Sequence, residues 1–132
     1  MSEENVELVR KFYEAFERRD WDAMFRDTHA DFEMTTQLGP TAGRIRRGRE
    51  QVTAFAEDYL TAFDTFIWEP DEFFENGDQV VALVTIRAQP RGGSADLVTH
   101  NGHLWTVRDG VILSLETFPE PGKALEAAGL SE

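Results

Sequence analysis

The stretch from Gln79 to Phe118 constrains this chain most, because it reads as three long strands in succession: Gln79–Pro90, Ala95–Arg108 and Val111–Phe118. Side chains of a strand alternate between two faces, and each segment alternates over its whole length. On the first, Val80, Ala82, Val84, Ile86 and Ala88 oppose Val81, Leu83, Thr85 and Arg87. On the second, Leu97, Thr99, Asn101, His103, Trp105 and Val107 share a face. On the third, Leu113, Leu115 and Thr117 oppose Ile112, Ser114, Glu116 and Phe118. Asp109-Gly110 fits a two-residue type I′ turn, whose central residues both need positive φ, and Asn76-Gly77 offers the same signal ahead of the first strand. Pro90-Arg91-Gly92-Gly93-Ser94 is a looser reversal. A meander of this kind must cover its apolar face.

The residues before it supply the cover. Glu3–Arg19 reads as a helix with Val6, Val9, Phe12, Tyr13 and Phe16 on one stripe, Ser2 as N-cap and Arg18 and Arg19 at the negative end of the dipole. Asp20 caps a second short helix, Trp21 to about Thr28, which His29-Ala30-Asp31 breaks. Phe32–Thr36 reads as a short strand, and Gln37–Gly48, with Gly39-Pro40 and Gly43, as a loop. A third helix runs from Arg49 to about Phe63 on the stripe Val52, Phe55, Ala56, Tyr59, Leu60 and Phe63. Phe66–Glu75 reads as a further strand. Pro119 and Pro121 end the sheet, and Lys123–Ala128 closes the chain as a helix with Gly129 at C′. Helices first and antiparallel strands after make an α+β chain, one domain over residues 1–132, with a sheet curling around three helices into a cone.

Charge and composition exclude several functions. The formal net charge is -12, which opposes nucleic acid and anionic membrane surfaces. There is no cysteine, so disulfides, thiol nucleophiles and cysteine-ligated zinc are out. The three histidines, His29, His100 and His103, match no zinc spacing, and no phosphate-binding glycine loop occurs, so neither metal nor cofactor is expected. No apolar run nears the ~20 residues of a membrane span, and the N-terminus lacks the basic and apolar regions of a leader, so a cytoplasmic protein is expected.

The chain resembles the SnoaL-like polyketide cyclases and ketosteroid isomerases of the nuclear-transport-factor-2-like superfamily over nearly its whole length. The residues that carry the resemblance are Glu4-Asn5-Val6, Arg10–Phe16, Asp20-Trp21-Asp22-Ala23, Asp31-Phe32-Glu33, Gly48-Arg49-Glu50, Asn76–Val81 and Leu104–Gly110. The resemblance implies a conical pocket between sheet and helices, and often a dimer through the outer sheet face. Matched without gaps, the ketosteroid isomerase base falls on Thr36, its oxyanion tyrosine on Phe12 and its protonated acid on His103, so that reaction as such is not expected. Polyketide cyclases and scytalone-type dehydratases resemble one another in using a sheet aspartate or histidine, and His103 is compatible with that role.

His103 is therefore the candidate acid/base, facing the pocket beside Trp105, unless a bulge at Gly102 turns His100 inward instead. The plainer reading is a hydrogen-bonded core histidine. Tyr59, or Tyr13, is the candidate hydroxyl partner, and core filling is the alternative for both. Phe12, Phe16, Met34, Phe55, Phe63 and Trp105 are expected to line the pocket, with Trp105 against Phe55 and Tyr59, and Thr36 and Asn101 to supply polar contacts. Such a lining suits a flat, apolar, ring-bearing small molecule. Arg44, Arg46, Arg47 and Arg49 either bind an anion at the third helix or, as such runs more often do, balance nearby carboxylates. Two readings result: a cofactor-free lyase, isomerase or cyclase using His103, or a non-catalytic small-molecule-binding module. Val81, Leu83, Leu104, Ile112 and Phe118 are expected to form an outer apolar band through which two copies pair as a homodimer.

Overall fold

A computed structural model of the chain describes residues 2–37, 42–93 and 95–130, with Ser2 described by its backbone alone. The Ser2 side chain, Gly39-Pro40 and Ser94 lie outside the described residues. The order is α1 (Ser2–Glu17), α2 (Trp21–Met24), β1 (Thr28–Thr36), β2 (Arg44–Arg47), α3 (Gly48–Leu60), β3 (Phe63–Asn76), β4 (Gln79–Pro90), β5 (Leu97–Arg108), β6 (Val111–Phe118) and α4 (Pro121–Ala127). The strands form one sheet in the order β2-β1-β6-β5-β4-β3, antiparallel throughout except for the β1/β6 pair.

The α1 stripe buries Val9, Phe12, Tyr13 and Phe16 against the inner sheet face, joined by Phe32, Trp105 and Leu115. The helix ends in a Schellman motif: Asp20 N–H bonds Ala15 O and Arg19 N–H bonds Phe16 O, each at 2.9 Å. Arg19 takes the left-handed position usual for glycine (φ 56), and its guanidinium reaches the carbonyls of Phe16 and Phe66 at 2.6 and 2.7 Å. Tying α1 to β3 offsets the strained backbone.

Several boundaries differ from the sequence expectation, each for a physical reason. His29-Ala30-Asp31 belongs to β1 rather than breaking a helix, because β1 begins beside Ile112 of β6. The segment read as a loop contains β2, an edge strand of four residues whose arginines hide its edge character. Phe63 starts β3 opposite Pro90 instead of ending α3. Pro70 is tolerated in β3 because β3 is an edge strand and bulges between Pro70 and Glu72. The first hairpin turns on Gly77-Asp78, with Asn76 and Gln79 paired and only Gly77 at positive φ, so it is not the Asn-Gly type I′ turn. The Asp109-Gly110 turn has the expected positive φ at both residues.

Two corrections bear on surfaces. The irregularity in β5 lies between Thr106 and Val107 opposite β6, not at Gly102, and it leaves Leu113 as an extra residue. Beyond it parity flips, so Ile112 joins the inner core at 1% exposure instead of the outer band. The rest of that band lies under the chain's own α4: Val81 and Leu104 pack with Ala124, Leu125 and Ala128, with Leu83 and Phe118 at the margin. Gly102 is what lets α4 approach, since a Cβ there would sit 2.6 Å from the Ala124 Cβ and 3.0 Å from the Pro121 Cα.

Candidate functional site

Between α3 and the inner sheet face lies a mostly apolar cavity of about 320 Å³, at the lower end of the usual ligand-pocket range. One wall comes from α3, through Phe55, Ala56, Tyr59 and Leu60. The other wall comes from Phe66 and Trp68 of β3 and Ile86 of β4, with Phe16 of α1 alongside. Its polar groups stand on neighbouring strands. Thr36 of β1 pairs with Thr117 of β6, and Thr117 pairs with His103 of β5, so the three form one row across the sheet. Asn101 stands two residues along β5, its amide donating to Phe118 O at 3.2 Å.

The two threonine hydroxyls are buried and make no hydrogen bond among the described residues. A buried hydroxyl without a partner costs roughly 1–3 kcal/mol, a cost that an oxygen or nitrogen atom meeting these two side by side would recover. His103 is held differently. It is 1% exposed, and its Nδ1 lies 2.7 Å from the Tyr13 hydroxyl. The Trp105 indole N–H donates to the same Tyr13 oxygen at 3.0 Å. Tyr13 has no other acceptor among the described residues, so its proton goes to Nδ1, and neutral His103 carries its own proton on Nε2. That nitrogen has no protein partner among the described residues. With the other ring nitrogen engaged in the core, Nε2–H is the polar group His103 can offer to the cavity it lines.

Burial pushes the His103 pKa down to about 3 and the Tyr13 phenol well above its ordinary value, the latter opposed in part by the bond from Trp105. At neutral pH both are uncharged, and the imidazole is a poor proton acceptor. None of the described residues lining the cavity carries a carboxylate. The site can therefore donate hydrogen bonds readily, whereas it has weak means of removing a proton.

The sequence matches the model of the SnoaL-like domain over residues 9–115. The chain belongs to the SnoaL-like domain family. Among solved structures, a nuclear-transport-factor-2-like protein of unknown function from Burkholderia pseudomallei is similar at 27% identity and a TM-score of 0.79, over 96% of this chain and 97% of that one. TerC, crystallised with polyporic acid, is 25% identical with a TM-score of 0.80, over 96% and 98%. A SnoaL-like polyketide cyclase homologue from Jannaschia, 18% identical over 87% and 84% with a TM-score of 0.74, shares the fold. A search of curated proteins finds no match.

Within this SnoaL-like cavity, the lining includes Phe16, Met34, Thr36, Phe55, Tyr59, Asn101 and His103. Phe12 and Trp105 do not line it. They face each other in the core with ring centroids 4.8 Å apart, and Trp105 also meets Tyr13 at 5.4 Å, rather than Phe55 and Tyr59. Phe63 is not in the lining either and packs on Tyr59 and Phe66. Tyr59 sits at the rim, 41% exposed, with rings as its neighbours and no hydrogen-bond partner among the described residues, so it does not reach His103. Its partial burial raises the phenol pKa. His100 lies on the outer face, where its Nδ1 is 3.2 Å from the Thr85 hydroxyl. Thr117 was missed. Alternation placed it beside Leu115, but only the bulge at Leu113 brings it opposite His103.

Proposed function

We propose that this SnoaL-like domain binds a flat, largely apolar small molecule bearing a carbonyl or hydroxyl oxygen. That oxygen is met by the row of Thr36, Thr117 and His103, and the observation that carries the reading is the pair of unpartnered threonine hydroxyls in an otherwise apolar cavity. His103 serves as a neutral donor through Nε2–H. A polarised carbonyl is also the first requirement of the lyase, isomerase and cyclase reactions considered above. A catalytic form of the reading therefore uses His103 and the threonines to hold developing negative charge on oxygen, with little help from His103 as a base. That a neighbour at 25% identity, TerC, was crystallised with polyporic acid supports a small organic occupant.

The test is a matched pair of probes, 2-acetylnaphthalene and 2-ethylnaphthalene, followed through the fluorescence of Trp68 in the cavity wall. The ketone is expected to bind at least tenfold more tightly, and the Thr36→Val/Thr117→Val protein to lose that preference. Equal affinity for the two, or no binding of either, overturns the reading.

The same reading includes a homodimer, paired through the part of the outer sheet face that α4 leaves open. There Ile67 and Val98, 39% and 49% exposed, flank Arg87 in one cross-strand row. A monomer mass by light scattering at micromolar concentration overturns it.

A further inference from the structure

Of the four arginines around β2, three have ordinary surroundings. Arg47 donates to Glu33 Oε2 at 2.6 Å through Nη2 and 2.9 Å through Nε, Arg49 pairs with Asp22, and Arg44 is exposed. These two ion pairs answer the expected balancing of charge. Arg46 departs from it. It is 8% exposed, pairs with no carboxylate and makes no hydrogen bond among the described residues, and its Nη1 is fully buried without a partner.

The burial is costly. A guanidinium does not shed its proton inside proteins, and the buried, unpartnered Nη1 N–H forfeits its hydration without return. Nor is it forced by a shortage of anions, since the chain has 25 Asp and Glu against 13 Lys and Arg. Arg46 is not itself in the cavity lining, but it packs against two residues that are. It stands opposite Met34 on the β1/β2 ladder, and its Cζ lies 3.6 Å over the Phe55 ring. Met34 and Phe55 both line the cavity. Stacking on Phe55 occupies one flat face of the guanidinium. It leaves the N–H edge, the part that forks onto an anionic oxygen, without a protein acceptor.

We propose that Arg46 anchors an anionic oxygen, a carboxylate or an equally acidic enol or phenol, on the ring-bearing ligand whose neutral oxygen meets Thr36, Thr117 and His103. The inference rests on the reading of the cavity as a ligand site and narrows its ligand class. Met34, opposite Arg46, is two residues from Thr36 on β1, so the strand positions that carry the anchor and the polar row are about 7 Å apart. The ligand is thus a compact acid, held at one end by a fixed charge and at the other by neutral donors.

The experiment compares 2-naphthoate with 2-naphthamide, which share a shape and differ in charge, by calorimetry on the full chain at pH 7.5. The carboxylate is expected to bind at least tenfold more tightly. Arg46→Met is expected to erase that preference while changing the amide affinity less than threefold, and Arg46→Lys to keep part of it. In the wild-type protein the Arg46 Nε–H resonance is expected to shift on adding 2-naphthoate and to stay fixed on adding 2-naphthamide, which keeps the test open if the variants fold poorly. Amide binding with no preference for the carboxylate, a preference that survives Arg46→Met, or an unmoved Arg46 resonance overturns the role of Arg46 and leaves the cavity reading standing. Binding of neither probe removes both.

Discussion

Replacing Tyr13 by Phe deletes one oxygen from the core and orphans two groups at once. The Trp105 indole N–H loses its acceptor at 3.0 Å, and His103 Nδ1 loses its donor at 2.7 Å. Trp105 and His103 are 0% and 1% exposed, and the space vacated by a single hydroxyl is too small to seat a replacement water. An orphaned buried polar group costs about 1–3 kcal/mol, so the pair gives about 3 kcal/mol once some relaxation is allowed. For a domain whose total stability falls near 5–15 kcal/mol, that is a large share. With a urea m-value near 2 kcal/mol per molar, the unfolding midpoint should fall by about 1.5 M. Tyr59→Phe is the matched control, because it removes the same atom from a 41% exposed residue with no partner. It should stay within about 0.5 kcal/mol of wild type. The ¹⁵N shifts of His103 give a second readout: Nε2 protonated in the wild type, and a mixture of tautomers in Tyr13→Phe. Equal midpoints for the two variants, or an Nδ1-protonated His103 in the wild type, would refute the hydrogen-bond assignment on which the donor role rests.

Two further predictions concern packing and acid stability. Gly102→Ala should cost about 1–3 kcal/mol by thermal unfolding, because its Cβ meets the Ala124 Cβ at 2.6 Å and main-chain atoms of Pro121 at 3.0 and 3.1 Å; an unchanged midpoint would mean that α4 is not seated on β5. The His103 pKa is about 3 in the fold against an ordinary value of 6.5, so the unfolded chain takes up the proton first. Its contribution is present in full above pH 6.5 and is lost as pH falls toward 3, at up to ~1.4 kcal/mol per pH unit. The slope of urea midpoint against pH between 7 and 5 should be shallower in His103→Asn than in wild type, and identical slopes would place His103 in a solvated setting.

The sheet was legible because its signals are local: alternation along β4, β5 and β6, and a turn pair at Asp109-Gly110 whose φ values only certain residues accept. The cover was legible for the same reason, from the helical stripe of Val9, Phe12, Tyr13 and Phe16. What stayed hidden is non-local. The Tyr13–His103 bond joins residues 90 positions apart, and nothing in either segment's periodicity announces it. The edge strand β2 is only Arg44–Arg47, too short for alternation to outweigh its charge. The outer band was misread because alternation fixes relative faces within a strand but not which face meets a covering helix, and α4 took most of it.

The chemistry of the cavity turns on one inserted residue. Counting back from the Asp109-Gly110 turn, Arg108 pairs with Val111 and Val107 with Ile112, and a regular ladder would continue to set Glu116 opposite His103. The extra residue at Leu113 shifts the register by one, so that His103 faces Thr117, while Glu116 turns outward and accepts from Gln37 at 2.8 Å. The bulge thus keeps a carboxylate out of an apolar cavity and leaves a hydroxyl in its place, which is why His103 has no anion to sustain its protonated form. Thr117→Asp restores what the regular ladder would have supplied. A carboxylate beside an imidazole favours the charged ring, and desolvation raises the carboxyl's own proton affinity, so the pair should share a proton near neutrality. The His103 ring resonances should then titrate well above the wild-type value of about 3. A ring that still titrates near 3 would show that Thr117 does not face His103 across the cavity floor, and the row of donors would lose its middle member.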